Sequence, residues 1–432
     1  MFKTFVRHRL QQYVRKYFAK HPEVILVVVA GSVGKTSTKR ALGTILNMRY
    51  RVRMHEGNHN ADISAPLAIL GIDYPGSLRS VGAWISVFRA ARRRIRQPSD
   101  VNVIIQELGT DRPGDLATFA SYLRPNIALV SAVTPEHMEF FQTLDAVARE
   151  ELSVTKFSDF VLINRDDVSD EYASYLENPN MSTYGTTALA ENCFEIRDFT
   201  PDTGYTGMVS SPLMAQPQQM QVQVVGEHSL RPIIGAIAAA LKIGMAPDDI
   251  AEALKQIKPV PGRMNPLRGI GGTVILDDTY NSSPAAAEAA LRTLYGFADA
   301  PQRIAVLGSM NELGSSSQVE HEALGRMCDG GLLAWVVTVG EEAEKHLAPA
   351  ARQRGCQVRS FRSPIDAGAF VRSVSEPGAY ILVKGSQGGI YLEECVKVLC
   401  DMTEDIELVR QTPEWMRIKN EFLSKYTTAS SN

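Results

Sequence analysis

The stretch Val24-Ile-Leu-Val-Val-Val-Ala-Gly-Ser-Val-Gly-Lys-Thr-Ser-Thr38 constrains this chain more than any other. Its β-branched, apolar first half predicts a buried strand, and the spacing from Thr38 to Met48 predicts a helix. Between them stand Gly31, Ser32, Val33, Gly34, Lys35, Thr36 and Ser37. A strand, a glycine turn and a helix start form a cradle for phosphates. Backbone N–H groups point inward, Lys35 supplies a point charge, and Thr36 offers a hydroxyl to magnesium. The full phosphate-loop pattern wants glycine at position 29, where this chain has valine, so the motif is a shortened form. An ordinary strand-to-helix turn has no use for the lysine.

The chain has 432 residues, enough for two or three domains. Hydrophobic content of 44% and charged content of 22% are those of a globular protein. A net charge of −3 makes no case for nucleic acid as a partner. Five scattered cysteines without a C-x-x-C pair point to a reducing compartment and no zinc site. A cytoplasmic monomer is the expectation. Residues 1–22 read as a basic amphipathic helix, with Phe2, Phe5, Val6, Leu10, Tyr13, Val14 and Tyr17 at helical spacing. Such a helix either docks on its own domain, the reading preferred here, or makes peripheral membrane contact. Residues 77–98 form a second basic helix carrying Arg89, Arg92, Arg93, Arg94 and Arg96.

Residues 23–260 read as a P-loop-containing central ATPase domain with a parallel sheet. Residues 261–426 read as a Rossmann-like C-terminal α/β domain, and 427–432 as a disordered tail. The fold class is therefore α/β. The polar loop with Asn58 and Asn60 holds substrate or is a solvated turn; spacing leaves both open. Glu107 closes a buried strand beside the phosphate-loop strand, well placed for magnesium. His137 follows the next strand on the same sheet edge. In the second half, Asp277-Asp278-Thr279-Tyr280-Asn281 and Lys384-Gly385-Ser386 end strands where open α/β sheets bind ligands.

Taken together, the phosphate loop, Glu56-Gly57-Asn58-His59-Asn60, Glu107-Leu108-Gly109, His137, Pro261-Gly262-Arg263, the Asp277 run, Gly308 to Gly314 with Asn311, His321, and the Lys384 run resemble the Mur ligase family. These are ATP-dependent amide-bond ligases of bacterial cell-wall precursor synthesis. The chain is most similar to the branch that adds D-alanyl-D-alanine to a UDP-linked muramyl peptide. The resemblance implies ATP and Mg²⁺, with muramyl-peptide and amino-acid or dipeptide substrates. It implies that Lys35 and the loop amides cradle the phosphates and that Thr36, Glu107 and His137 hold magnesium. Arg263 would reach the γ-phosphate, and Asp278 and Asn281 would contact the nucleoside from the far domain. Asn58, Asn60, Asn311, Lys384 and Ser386 are the implied substrate residues. Domain closure would assemble the site.

Three departures stand out. Family members carry a carbamylated lysine where Glu151 falls here, so Glu151 is expected to replace it as a magnesium ligand, with Lys156 as the competing residue. The family's Gly-x-His-Asn-x-x-Asn appears as Gly226-Glu227-His228-Ser229-Leu230-Arg231-Pro232, without either asparagine. The usual N-terminal UDP-binding domain is expected to be lacking. The alternatives are the same chemistry on a lipid-linked substrate, or a nucleotide-binding regulator with a decayed site.

Overall fold

A computed structural model describes residues 2–55, 57, 59–78, 80–201, 203–401 and 406–427. The expected substrate residue Asn58, and the tail beyond 427, lie outside them. The chain divides into two units. The first comprises Met1–Thr134, Phe140–Gln223 and Leu230–Ile257; the second comprises Pro135–Glu139, Val224–Ser229 and Lys258–Asn432.

The first unit is built on nine strands: β1 (Ile25–Ala30), β2 (Val52–Met54), β3 (Val103–Glu107), β4 (Ile127–Val130), β5 (Phe160–Asn164), β6 (Met181–Gly185), β7 (Asn192–Thr200), β8 (Gly204–Ser210) and β9 (Gln218–Val222). They form one sheet in the order β2-β3-β1-β4-β5-β6-β7-β8-β9. Pairing from β2 to β7 is parallel, and β7, β8 and β9 run antiparallel. The Gln- and Thr-rich stretch from 192 to 222 thus extends the main sheet as β7, β8 and β9. Strand β1 lies between β3 and β4 with Val27, Val28 and Val29 fully buried. A strand covered on both faces needs this continuous apolar run. Because β1 and β3 are in register with Val29 opposite Glu107, the acidic residue arrives beside the start of the phosphate loop.

The helix Phe2–Lys20 docks on this unit, burying Val6, Leu10, Tyr13, Val14 and Tyr17. Val6 and Leu10 join Ile63, Leu67, Trp84 and Val87 in one apolar cluster. Trp84 and Val87 belong to the arginine helix Val81–Arg96, whose Ser80 cap accepts a bond from the Ala83 N–H. The capping hydroxyl satisfies one of the first-turn amides and fixes the helix start.

The second unit has six strands: β10 (Asn265–Arg268), β11 (Val274–Asp278), β12 (Arg303–Gly308), β13 (Trp335–Val339), β14 (Val358–Phe361) and β15 (Tyr380–Lys384). Their order is β10-β11-β15-β12-β13-β14, parallel except for the edge strand β10. The five parallel strands follow the expected alternation. Strand β10 contains Pro266, whose missing N–H is tolerated on an edge, and its sequence carries little strand signal.

Candidate functional site

In the first unit the phosphate loop leaves β1 at Ala30 and enters the helix Lys35–Leu46 at Gly34. Gly31 (φ 119°) and Gly34 (φ 86°) take backbone conformations that side chains rarely adopt. At Gly31 space is short as well, since a Cβ would meet Ser131 Oγ at 2.4 Å and the Ala132 nitrogen at 2.8 Å. Ser131 fastens the loop from below, donating 2.6 Å to the Val33 carbonyl. The Ser32 hydroxyl lies 2.8 Å from Thr134 Oγ1. Lys35 folds back, its ammonium donating to the Gly31 carbonyl and, at 3.1 Å, to that of Ser32.

Thr36 and Glu107 come together as the spacing predicts. The Thr36 hydroxyl is 3.1 Å from Glu107 Oε2 and 3.3 Å from Oε1. Sequence reasoning missed the third member, Lys39. It is buried, pairs with Glu107 Oε2 at 3.2 Å and donates to the Gly57 carbonyl at 3.3 Å. The signal was its place one helical turn beyond Lys35, on a face turned to the sheet. Asn60 lies close by: its carbonyl accepts from the Gly109 N–H at 3.0 Å.

Glu151 reaches the loop by another route. One carboxylate oxygen accepts from the Gly31 N–H at 2.7 Å, and the other from the Thr110 hydroxyl at 2.5 Å. Its near-complete burial raises its pKa, and the Lys35 charge opposes that shift. Both oxygens therefore already serve the protein, one of them by holding the loop's first glycine. Lys156 faces elsewhere and pairs with Glu177 at 2.8 Å. Arg231, on the helix Glu227–Ile243, pairs with Asp167 at 2.7 Å.

His137 belongs to the Pro135–Glu139 segment of the second unit, where its Nδ1 lies 2.9 Å from Glu312 Oε2. This hydrogen bond, ahead of a desolvation penalty, holds the Glu312 carboxyl below its ordinary pKa. No group of three or more His, Cys, Asp or Glu side chains able to hold a metal is found among the described residues.

The remaining expected residues gather at the carboxyl ends of β11, β15 and β12. Lys384, buried at the end of β15, bonds Asp278 Oδ2 at 2.6 Å and the Asn281 carbonyl at 3.0 Å. Ser386 Oγ accepts from the Asn311 N–H at 2.9 Å and donates to the Ser282 carbonyl at 3.3 Å. Asp277 is fully buried and fixes the neighbouring turn, accepting from the Gly262 N–H, the Thr279 N–H and the Thr279 hydroxyl. Desolvation, partly offset by those bonds, pushes its pKa up to about 6. The Asp277 turn positions Arg263, whose guanidinium lies 4.2 Å from the Tyr280 ring centroid and whose buried Nε has no hydrogen-bond partner. Arg410, also missed, grips the carbonyls of Thr279 and Tyr280 while pairing with buried Glu393. It lies far from these residues in sequence and belongs to no motif. His321, quoted with the motifs, is structural: its Nε2 accepts from the Met310 N–H at 2.9 Å.

A phosphate loop at a central strand with a carboxylate on its helix threonine, followed by a second open α/β sheet, defines a P-loop nucleotide-binding protein of two α/β units. Residues 29–240 match the Mur ligase middle domain and residues 262–387 the Mur ligase glutamate ligase domain. The chain belongs to the Mur ligase family. It is 25% identical over 401 residues to a UDP-N-acetylmuramoyl-tripeptide–D-alanyl-D-alanine ligase of Bacillus subtilis, covering 91% of this chain and 79% of that one. The Escherichia coli protein of the same name is 26% identical over 384 residues, covering 87% and 76%. Among solved structures, MurF from Acinetobacter baumannii superposes with a TM-score of 0.74 at 21% identity, covering 90% of this chain and 80% of that one. MurF ligase from Thermotoga maritima in complex with ADP gives 0.71 at 22% identity, covering 91% and 83%. These structural likenesses establish the shared fold.

Proposed function

We propose that the chain is an ATP-dependent amide-bond ligase that joins D-alanyl-D-alanine to a UDP-linked muramyl tripeptide. The observation that carries this reading is the similarity, across both units, to relatives named for that reaction. The Thr36–Glu107 pair and the loop that presents Lys35 are the parts such chemistry needs, which favours an active ligase over a decayed regulator.

In this reading Lys35 turns from the loop carbonyls to the β- and γ-phosphates of ATP, as the lysine of a P-loop does. The backbone amides of Val33 to Thr36 donate to the phosphate oxygens. A substrate carboxylate oxygen attacks the γ-phosphorus in line, the bond to ADP breaks, and an acyl phosphate forms. The amine of the dipeptide then attacks the acyl carbon, the bond to phosphate breaks, and the nitrogen gives up a proton. Arg263 supplies charge to the transferring group; its partnerless Nε is the observation that supports an anion there.

Magnesium fits the donors. Thr36 and Glu107 are hard oxygen ligands side by side, and this ion takes one or two protein oxygens and completes its shell with phosphate and water. When bound it supplies positive charge against the phosphate oxygens. His137 is the further ligand in this reading, and its Nδ1 carboxylate partner is the kind that orients ligating histidines. Glu151 acts through the loop, holding Gly31 so that its neighbours' amides stay aimed at the phosphates.

Phosphate release from ATP should require both UDP-muramyl tripeptide and D-alanyl-D-alanine, with the joined product seen by mass. Release with single amino acids in place of the dipeptide overturns the substrate assignment. Nucleotide binding without turnover on any muramyl peptide overturns the ligase.

A further inference from the structure

The ligase reading leaves the outer faces of the two basic helices unused. Helix Phe2–Lys20 carries Lys3, Arg7, Arg9, Arg15, Lys16 and Lys20, and helix Val81–Arg96 carries Arg89, Arg92, Arg93, Arg94 and Arg96. Neither has an acidic residue. These 35 residues therefore hold 11 of the chain's 45 basic side chains and none of its 48 acidic ones. The rest of the chain, with 34 basic against 48 acidic residues, stands at −14. A near-neutral total thus conceals a strongly polarised distribution.

The helices pack together, and their contacts advance in the same sense along both. Phe5 meets Phe88 edge-on at 6.4 Å, Tyr13 accepts from Arg92 at 3.1 Å, and His21 lies 3.2 Å from the Ile95 carbonyl. Like ends therefore lie near one another. At the amino ends Phe2, Phe5, Val81 and Ile85 are exposed, Phe5 and Val81 by 59% and 60%. Toward the carboxyl ends the exposed residues are Arg15, Lys16, Lys20, Arg89, Arg93 and Arg96. Among the basic groups, Arg7 pairs with Asp62 and Arg94 with Asp100, while Arg9, Arg15 and Arg92 donate to Gln12, the Ser121 carbonyl and Tyr13. Phe5 leaves more than half of its surface in water despite its edge contact with Phe88, and apolar surface exposed beside a run of cations costs solubility. No helix among the described residues is long and apolar enough to cross a membrane.

We propose that the joint outer face of helices Phe2–Lys20 and Val81–Arg96 is a docking surface for an anionic lipid bilayer. The basic side chains meet the headgroup charge, and Phe2, Phe5, Val81 and Ile85 enter the boundary between headgroups and acyl chains. Val81 and Ile85, aliphatic residues on which no base can stack, distinguish this surface from one for nucleic acid, where cations alternate with stacking rings. The assignment does not depend on the ligase reading, because vesicle binding needs no nucleotide.

The test is co-sedimentation of the full chain with vesicles of phosphatidylcholine, with and without an equal part of phosphatidylglycerol. Binding should require the anionic lipid and weaken with salt. The variant Arg89→Gln/Arg93→Gln/Arg96→Gln should bind about a hundredfold more weakly. Phe5→Ser/Val81→Ser should lose about tenfold or more, with circular dichroism unchanged in both. Equal binding to neutral vesicles, no binding to either, indifference to both variants, or preferential capture by single-stranded RNA over the anionic vesicles would overturn the proposal.

Discussion

The buried pair Lys39–Glu107 should behave as one energetic unit. Its atoms are 3.2 Å apart, and the two side chains are 3% and 5% exposed. At an effective dielectric constant of about 20, unit charges at that distance attract by about 5 kcal/mol, which the cost of desolvating both largely offsets. Removing one partner is a different matter. Lys39→Met leaves the Glu107 carboxylate with the Thr36 hydroxyl, and Glu107→Gln leaves the Lys39 ammonium with the Gly57 carbonyl. Each single variant should lose about 3–5 kcal/mol, because an uncompensated charge stays buried. The double variant removes both charges and should cost far less than the sum, with a coupling energy of about 3 kcal/mol or more. Urea unfolding followed by Trp84 fluorescence, with Trp335 and Trp415 replaced by Phe, reads the first unit, where Trp84 is buried. Additive costs would refute the reasoning.

Two further perturbations test the loops. Gly31→Ala places a methyl group 2.4 Å from Ser131 Oγ at a positive φ, and should weaken ATP binding by at least about tenfold in a calorimetric titration; unchanged affinity would contradict the cradle. Asp277 has a folded pKa of about 6 against an ordinary 3.8, so its ionisation opposes folding as pH rises through that window. Wild-type stability relative to Asp277→Asn should therefore fall by about 3 kcal/mol between about pH 4 and about pH 7, and parallel pH curves would contradict it.

The sequence made the strands and the loop legible because their signals are local. Val24 to Val29 announce a strand covered on both faces, and the shortened glycine–lysine–threonine motif after it points to a phosphate cradle because of that placement. The Thr36–Glu107 meeting followed from strand ends, since the final residues of adjacent parallel strands share an edge. Lys39 escaped notice because a lysine within a helix is ordinarily a solvated one, and only the packing of that helix on the sheet turns it inward. Arg410 and the two loop ties of Glu151 were illegible for a related reason. Their partners are 130, 120 and 41 positions away, and no periodicity encodes such distances. Strand β10 was missed where Pro266 argues against a strand, and its place at the edge is what makes the proline acceptable.

The account rests on a carboxylate being activated by phosphoryl transfer before the amine arrives. A muramyl tripeptide labelled with ¹⁸O in the carboxyl group that forms the new amide bond tests this directly. The account predicts that the inorganic phosphate released with D-alanyl-D-alanine carries one labelled oxygen per molecule, taken from the carboxylate when the acyl phosphate breaks. Unlabelled phosphate alongside normal product would contradict it.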